Sequence, residues 1–274
     1  MGTLAIIISL ALLMFFAYRG ISVLILAPIM AAVAILLSGD MAYMMPQYTE
    51  TFMSALGGYI LKFFPIFLLG ALFGQLMVDS GAASSISNSI MNKLGHQRAI
   101  LTVVLACGVL TYGGVSLFVV AFAIYPIAKS MFQAANIPKR LIPGAIALGS
   151  FTFTMTALPG SPSIQNAIPI PFFGTNVFAA PGIGIISGLI MFGLGSIWLQ
   201  SRANKARNNG EGYGVDTEEG EKLEDGVTSK GEMPVFLAFL PLLLVIGVNA
   251  LFTYIIFSGM DFSSLKELYP KLDP

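Results

Sequence analysis

Two short polar stretches interrupt otherwise apolar sequence: Tyr112-Gly113-Gly114-Val115-Ser116, and Pro159-Gly160-Ser161-Pro162-Ser163-Ile164-Gln165-Asn166. They offer glycine backbone, hydroxyls and side-chain amides without formal charge. Such groups suit reversible binding of a small solute; a serine hydroxyl attacks a bond only with an activating base beside it. Membrane hydrocarbon holds no water for loose N–H and C=O groups, so irregular backbone persists there only around protein or a polar cavity. Discontinuous helices facing such a cavity are the way secondary transporters hold solutes. In the first stretch, Gly113 and Gly114 are suited to positive φ and chain reversal, and Ser116 to capping the next helix. The N–H groups at that helix start favour an anion. In the second, Pro159-Gly160 stops a helix and Ser161-Pro162 reads as the start of another. The plainer alternatives are close packing of two helices at Gly113-Gly114 and an ordinary external loop at 159–166.

The groups that an enzyme would need lie elsewhere. None of the 14 Asp and Glu residues falls inside an apolar run, and Asp79 comes nearest, at the end of one. The one histidine, His96, sits between Lys93 and Arg98, and the one cysteine, Cys107, is embedded in apolar sequence. That excludes an internal disulfide and a cysteine-based zinc site. A reacting centre requires an acid–base partner or metal ligands, so the expectation is no catalytic residue, no metal and no cofactor. Thr152, Thr154 and Thr156 lie between the two stretches, and hydroxyls of this kind usually bond their own helix backbone.

The elements that position these residues follow from composition. Of 274 residues, 56% are hydrophobic and 10% charged, with formal net charge zero. Soluble domains carry roughly a quarter charged residues. The fold class is therefore an all-α polytopic membrane protein, with no basic patch for nucleic acid. Apolar runs cover 3–18, 20–38, 57–78, 99–111, 117–135, 141–158, 181–199 and 233–258. The first lacks the basic start and small-residue cleavage site of a secretory signal and reads as a retained span.

The expected organisation is scaffold spans at 1–78, an interfacial cytoplasmic helix at 79–98 and a transport region at 99–180. That region divides into a re-entrant hairpin (99–135) and a broken helix (138–176). A span at 181–199, a charged cytoplasmic linker at 200–232, a span at 233–258 and an external tail at 259–274 follow. An external N-terminus puts all of the 14 Lys and Arg residues except Lys62, Lys266 and Lys271 on the cytoplasmic side, as charge bias across membranes requires. Residues 159–180 are apolar for a loop and suggest a segment threaded back through protein.

Several stretches resemble the GntP family of gluconate permeases, within the ion-transporter superfamily. They are Phe63-Phe64-Pro65-Ile66-Phe67-Leu68-Leu69-Gly70-Ala71-Leu72-Phe73-Gly74, Asp79-Ser80-Gly81-Ala82-Ala83, Leu110-Thr111-Tyr112-Gly113-Gly114-Val115-Ser116-Leu117-Phe118-Val119, Asn136-Ile137-Pro138-Lys139-Arg140-Leu141-Ile142-Pro143 and Ala157-Leu158-Pro159-Gly160-Ser161-Pro162-Ser163-Ile164-Gln165-Asn166-Ala167-Ile168-Pro169. The resemblance covers most of residues 1–200. It implies a proton-linked symporter of gluconate or a related small hydroxy-monocarboxylate in a bacterial inner membrane, built from inverted repeats as a homodimer. It maps Gly113, Gly114 and Ser116 to a hairpin tip, and Gly160, Ser161, Ser163, Gln165 and Asn166 to an unwound loop, as substrate-binding residues. Members of that family are much longer; this chain carries about one repeat and the first span of the next, as a truncated form would. Sodium coupling to another organic acid and a nontransporting membrane scaffold subunit remain the alternatives.

Overall fold

The computed structural model describes residues 2–39, 41–214 and 233–261, and the described residues are helical with connecting turns. The chain divides into two compact units, Met1–Pro65 and Ile66–Pro274. In the first, α1 (Gly2–Tyr18) packs along α2 (Val23–Leu37). The Arg19 guanidinium folds back to 5.1 Å from the Phe15 ring, which lets its stem cover apolar surface at the helix end. A single turn, α3 (Met44–Pro46), runs through a π-helical stretch at Gln47–Phe52 into α4 (Met53–Asp79), whose Pro65 marks the division between the units.

The second unit is built around α6 (Ala99–Tyr112). Ten of its residues are buried, from Ala99 through Thr111. A helix apolar on all sides belongs at the centre of a helical assembly. It is wrapped by α5 (Ala82–Leu94), α7 (Leu117–Ala134), α8 (Ile142–Ser150) and the one-turn α9 (Phe153–Thr156). Two more single turns follow, α10 (Ile164–Ala167) and α11 (Ile170–Phe173). The long α12 (Pro181–Asn208) and α13 (Val235–Leu251) complete the unit, the latter packing on α5. Outward positions of α12 and α13, such as Ile183, Leu189, Leu194, Phe236 and Leu243, are large, apolar and exposed. Packed lipid chains accommodate that surface; water does not.

Among the described residues, four helical stretches are long and apolar enough to cross a membrane: Met41–Asp79, Leu117–Ala134, Pro181–Asn208 and Val235–Gly259. The chain therefore has the helices of a multi-pass membrane protein. Three boundaries differ from the sequence expectation. The run at 20–38 yields a helix of only 15 residues, because Gly20 takes positive φ and ends the preceding turn. The apolar run 141–158 is divided at Phe151-Thr152, where Thr152 has φ −116° and ψ −113°. The helix expected to end at 199 continues through Asn208. The helix expected within 79–98 forms at Ala82–Leu94, and its first turns (Ala82, Ala83, Ser85, Ile86, Ser87) are buried. Residues 215–232 of the expected linker and 262–274 of the expected tail lie outside the described residues.

Candidate functional site

The first polar stretch is the tip joining α6 to α7. Tyr112 ends α6, Gly113 has φ −71°, and Gly114 reverses the chain at φ +101°. Gly114 alone takes the positive φ expected of the pair. Ser116 sits at the N-cap of α7 with extended ψ, and its hydroxyl makes no capping bond. The first N–H groups of an uncapped helix remain available to another acceptor. Gly74 of α4 lies against this point: a Cβ there would stand 3.3 Å from the Ser116 backbone nitrogen.

The second stretch departs from expectation at its start. Pro162 does not open a helix; α10 begins at Ile164 with Ser163 as its N-cap. Two contacts explain the displacement. The Ser161 hydroxyl is buried and shares a 2.7 Å hydrogen bond with the Ser163 hydroxyl, and Pro162 is held against Gly114. Pro169 then ends the turn, so α10 and α11 span four residues each. The loop returns on itself as Gly160 N–H donates to the Val177 carbonyl at 2.8 Å. Gly160 holds φ +81° with the Phe178 ring packed against it. Part of the apolar loop stays uncovered, since Phe172 and Phe173 are exposed.

These two stretches, 47 residues apart, meet. The Tyr112 hydroxyl donates to the Pro159 carbonyl at 2.8 Å, and a Cβ on Gly114 would stand 2.8 Å from the Pro162 ring. Each contact joins the chain reversal of one break to the proline of the other. Gly113, Gly114, Gly160, Ser161, Ser163 and Asn166 are at least half buried in this region, Ser116 is half buried, and Gln165 is exposed.

Asn166 has a defined orientation. Its Nδ2 donates to the Ser161 carbonyl at 3.0 Å and to the Val177 carbonyl at 2.9 Å. Both amide hydrogens are thereby used, while no donor among the described residues reaches Oδ1. The two carbonyl partners fix which end of the amide is nitrogen. Beside the tip, the Thr111 hydroxyl is buried without a hydrogen-bond partner among the described residues, an arrangement that native structures seldom leave unfilled. In sequence, Val177 and Phe178 read only as apolar residues of the loop, and nothing marks them as partners of Gly160 and Asn166. For Tyr112, only its position directly before the glycine pair hinted at its role.

The three threonines between the breaks are structural. Thr152 bonds the Leu148 carbonyl at 2.6 Å, Thr154 the Gly149 carbonyl at 2.8 Å and Thr156 the Thr152 carbonyl at 3.1 Å. These bonds occupy carbonyls where α8 stops and α9 restarts.

The Tyr112 contact gives a direct expectation. Tyr112→Phe keeps the ring and removes the donor to Pro159. It should cost about 1 kcal/mol of stability, and hydrogen exchange should quicken selectively at 159–166 while α6 stays protected. Equal protection in both proteins would show that the hydroxyl does not join the breaks.

A family profile described as GntP family permease matches residues 1–266. The chain is 49% identical over its full length to the Bacillus subtilis (strain 168) protein named Uncharacterized transporter YxjC, and spans 60% of that relative's length. An Uncharacterized transporter of Haemophilus influenzae (strain ATCC 51907 / DSM 11121 / KW20 / Rd) is 35% identical over 46% of this chain and 30% of its own. No solved structure matches. With its multi-pass helices and paired breaks, the chain belongs to the GntP family of permeases.

Proposed function

We propose that this chain is the first repeat of a proton-linked symporter for gluconate or a related small hydroxy-monocarboxylate, with α6 and α7 forming a re-entrant hairpin. The observation that carries the reading is the joining of the two breaks through Tyr112–Pro159 and Gly114–Pro162. An α6 of 14 residues rises about 21 Å at roughly 1.5 Å per residue, short of the roughly 30 Å of hydrocarbon. Although α7 is long enough to cross, the shorter arm supports a tip within the membrane.

In this reading the uncapped start of α7 at Ser116 and the Ser161–Ser163 hydroxyl pair receive the solute's carboxylate, while Asn166 Oδ1 accepts from a solute hydroxyl. Gly113, Gly114 and Gly160 let main chain approach closely. Gln165, being exposed, contributes least. A second repeat supplies the opposing half of the site, and movement of the hairpin-bearing region alternates access.

The test is uptake of labelled gluconate and 3-hydroxybutyrate into proteoliposomes under imposed proton and sodium gradients. It is run with this chain and with the longer Bacillus relative carrying the equivalents of Ser116→Ala and Asn166→Ala. Proton-driven uptake that falls at least about tenfold in both variants supports the assignment; a tenfold loss corresponds to roughly 1.4 kcal/mol of lost transition-state binding. Full uptake in both removes these residues from the site. Uptake that follows sodium alone replaces the coupling ion.

A further inference from the structure

The charged stretch after α12 reads in sequence as a plain connector, yet its first residues are built into the fold. Gly210, at φ +75°, donates its N–H to the Arg207 carbonyl at 3.0 Å, and Glu211 N–H donates to Ala206 at 2.9 Å. This pair of bonds closes a helix C-terminus and sets the chain's exit direction. The end of α7 is closed the same way. Asn136, at φ +49°, donates to the Gln133 carbonyl at 3.1 Å, and Ile137 to Phe132 at 2.8 Å. Asparagine is among the few non-glycine residues that adopt this conformation readily.

The two closed ends meet. Asn136 Oδ1 accepts the Tyr213 N–H at 3.0 Å, and Lys139 N–H points at the Tyr213 carbonyl at 3.5 Å. Arg140 donates from Nε to Glu211 Oε1 at 2.6 Å and from its terminal nitrogen to Oε2 at 2.7 Å. The Tyr213 side chain is only 7% exposed and belongs to the core around Phe132, Ile137 and Leu141. Between them, a Cβ on Gly212 would stand 2.6 Å from Asn136 Oδ1, so the backbone lies directly on the asparagine. Hydrogen bonding to Arg140 lowers the Glu211 carboxyl below its ordinary range. That pair is on the surface and adds orientation more than stability; the tyrosine and the asparagine hold the contact.

We propose that Glu211-Gly212-Tyr213 is a strap that fastens the head of the charged segment to the α7–α8 corner. The segment that follows therefore leaves from a fixed point beside Arg140 and the start of α8, and the end of α12 and the corner move as one piece. This inference stands independently of which solute is carried.

Hydrogen exchange of the whole chain in lipid nanodiscs tests it. The Tyr213 amide should exchange at least about tenfold more slowly than in a free peptide of residues 207–216. Asn136→Gly keeps the left-handed backbone and removes the acceptor. It should erase most of that protection, as should Tyr213→Ala, with α6 amides unchanged as the control for folding. Trypsin cleavage after Arg207 should rise in parallel. The exchange of charges in Arg140→Glu with Glu211→Arg should retain the protection that Glu211→Arg alone reduces. Should Asn136→Gly also loosen α6, the reading is taken from Tyr213→Ala. Wild-type exchange within about twofold of the free peptide, or protection unaffected by the decisive variant, overturns the strap.

Discussion

A valine at position 149 is expected to remove most correctly folded protein. A Cβ on Gly149 would stand 2.5 Å from the Cys107 Cβ and 2.5 Å from the Val104 carbonyl oxygen. Both belong to α6, whose core position leaves it nowhere to retreat, and one of the atoms is backbone. Overpacking a tight core usually costs about 1–3 kcal/mol; valine adds two methyl groups beyond that Cβ, so a loss near 3 kcal/mol or above is expected. The measurement is the monodisperse fraction and melting temperature in detergent. Gly193→Ala is the contrast, because nothing lies within 4 Å of its added methyl. At that position helix propensity predicts no loss and a gain of up to about 1 kcal/mol. Equal behaviour of the two variants would contradict the α6–α8 contact.

The second large effect is expected at Gly114. Alanine there must hold φ +101° and place its Cβ 2.8 Å from Pro162. Backbone strain of this kind costs about 1–3 kcal/mol, and it falls on the contact that joins the two breaks. Folding should largely survive, since the tip can relax by parting from Pro162. Solute uptake should fall at least about tenfold, with faster hydrogen exchange at both 112–116 and 159–166. If only the tip loosens, the breaks are independent of one another. Gly113→Ala meets a different neighbour, Leu242 of α13, and should disturb helix packing without touching the second break.

The helices were legible because apolar run length and glycine or proline punctuation report directly on them. Ala99–Tyr112, Leu117–Ala134 and Ala82–Leu94 emerge within a few residues of the positions expected. The interruption at Phe151-Thr152 was not legible. No proline marks it, and it depends on threonine hydroxyls turning back to Leu148 and Gly149, a choice that tertiary packing makes. The strap was hidden for a related reason: Glu211 and Tyr213 sit in a stretch whose average composition is that of a solvated connector, and their partners lie more than 70 residues earlier. At the two breaks, residue types pointed to polar backbone turns facing one cavity, while the contacts that join them, Tyr112 to Pro159 and Gly114 to Pro162, required three-dimensional information. The start of α10 moved to Ile164 because Pro162 had a partner in Gly114 that no local pattern reveals.

The amide of Asn166 carries a consequence for selectivity. With both hydrogens committed to Ser161 and Val177, this side chain would, in the site proposed above, offer a solute an acceptor and nothing else. A guest bearing an alcohol satisfies it; a simple fatty acid of equal length, or a keto acid presenting another oxygen, leaves it bare. Polar sites reject unmatched guests far more sharply than apolar pockets reject a missing methylene. Competition by butyrate against 3-hydroxybutyrate would therefore read the orientation of one carboxamide.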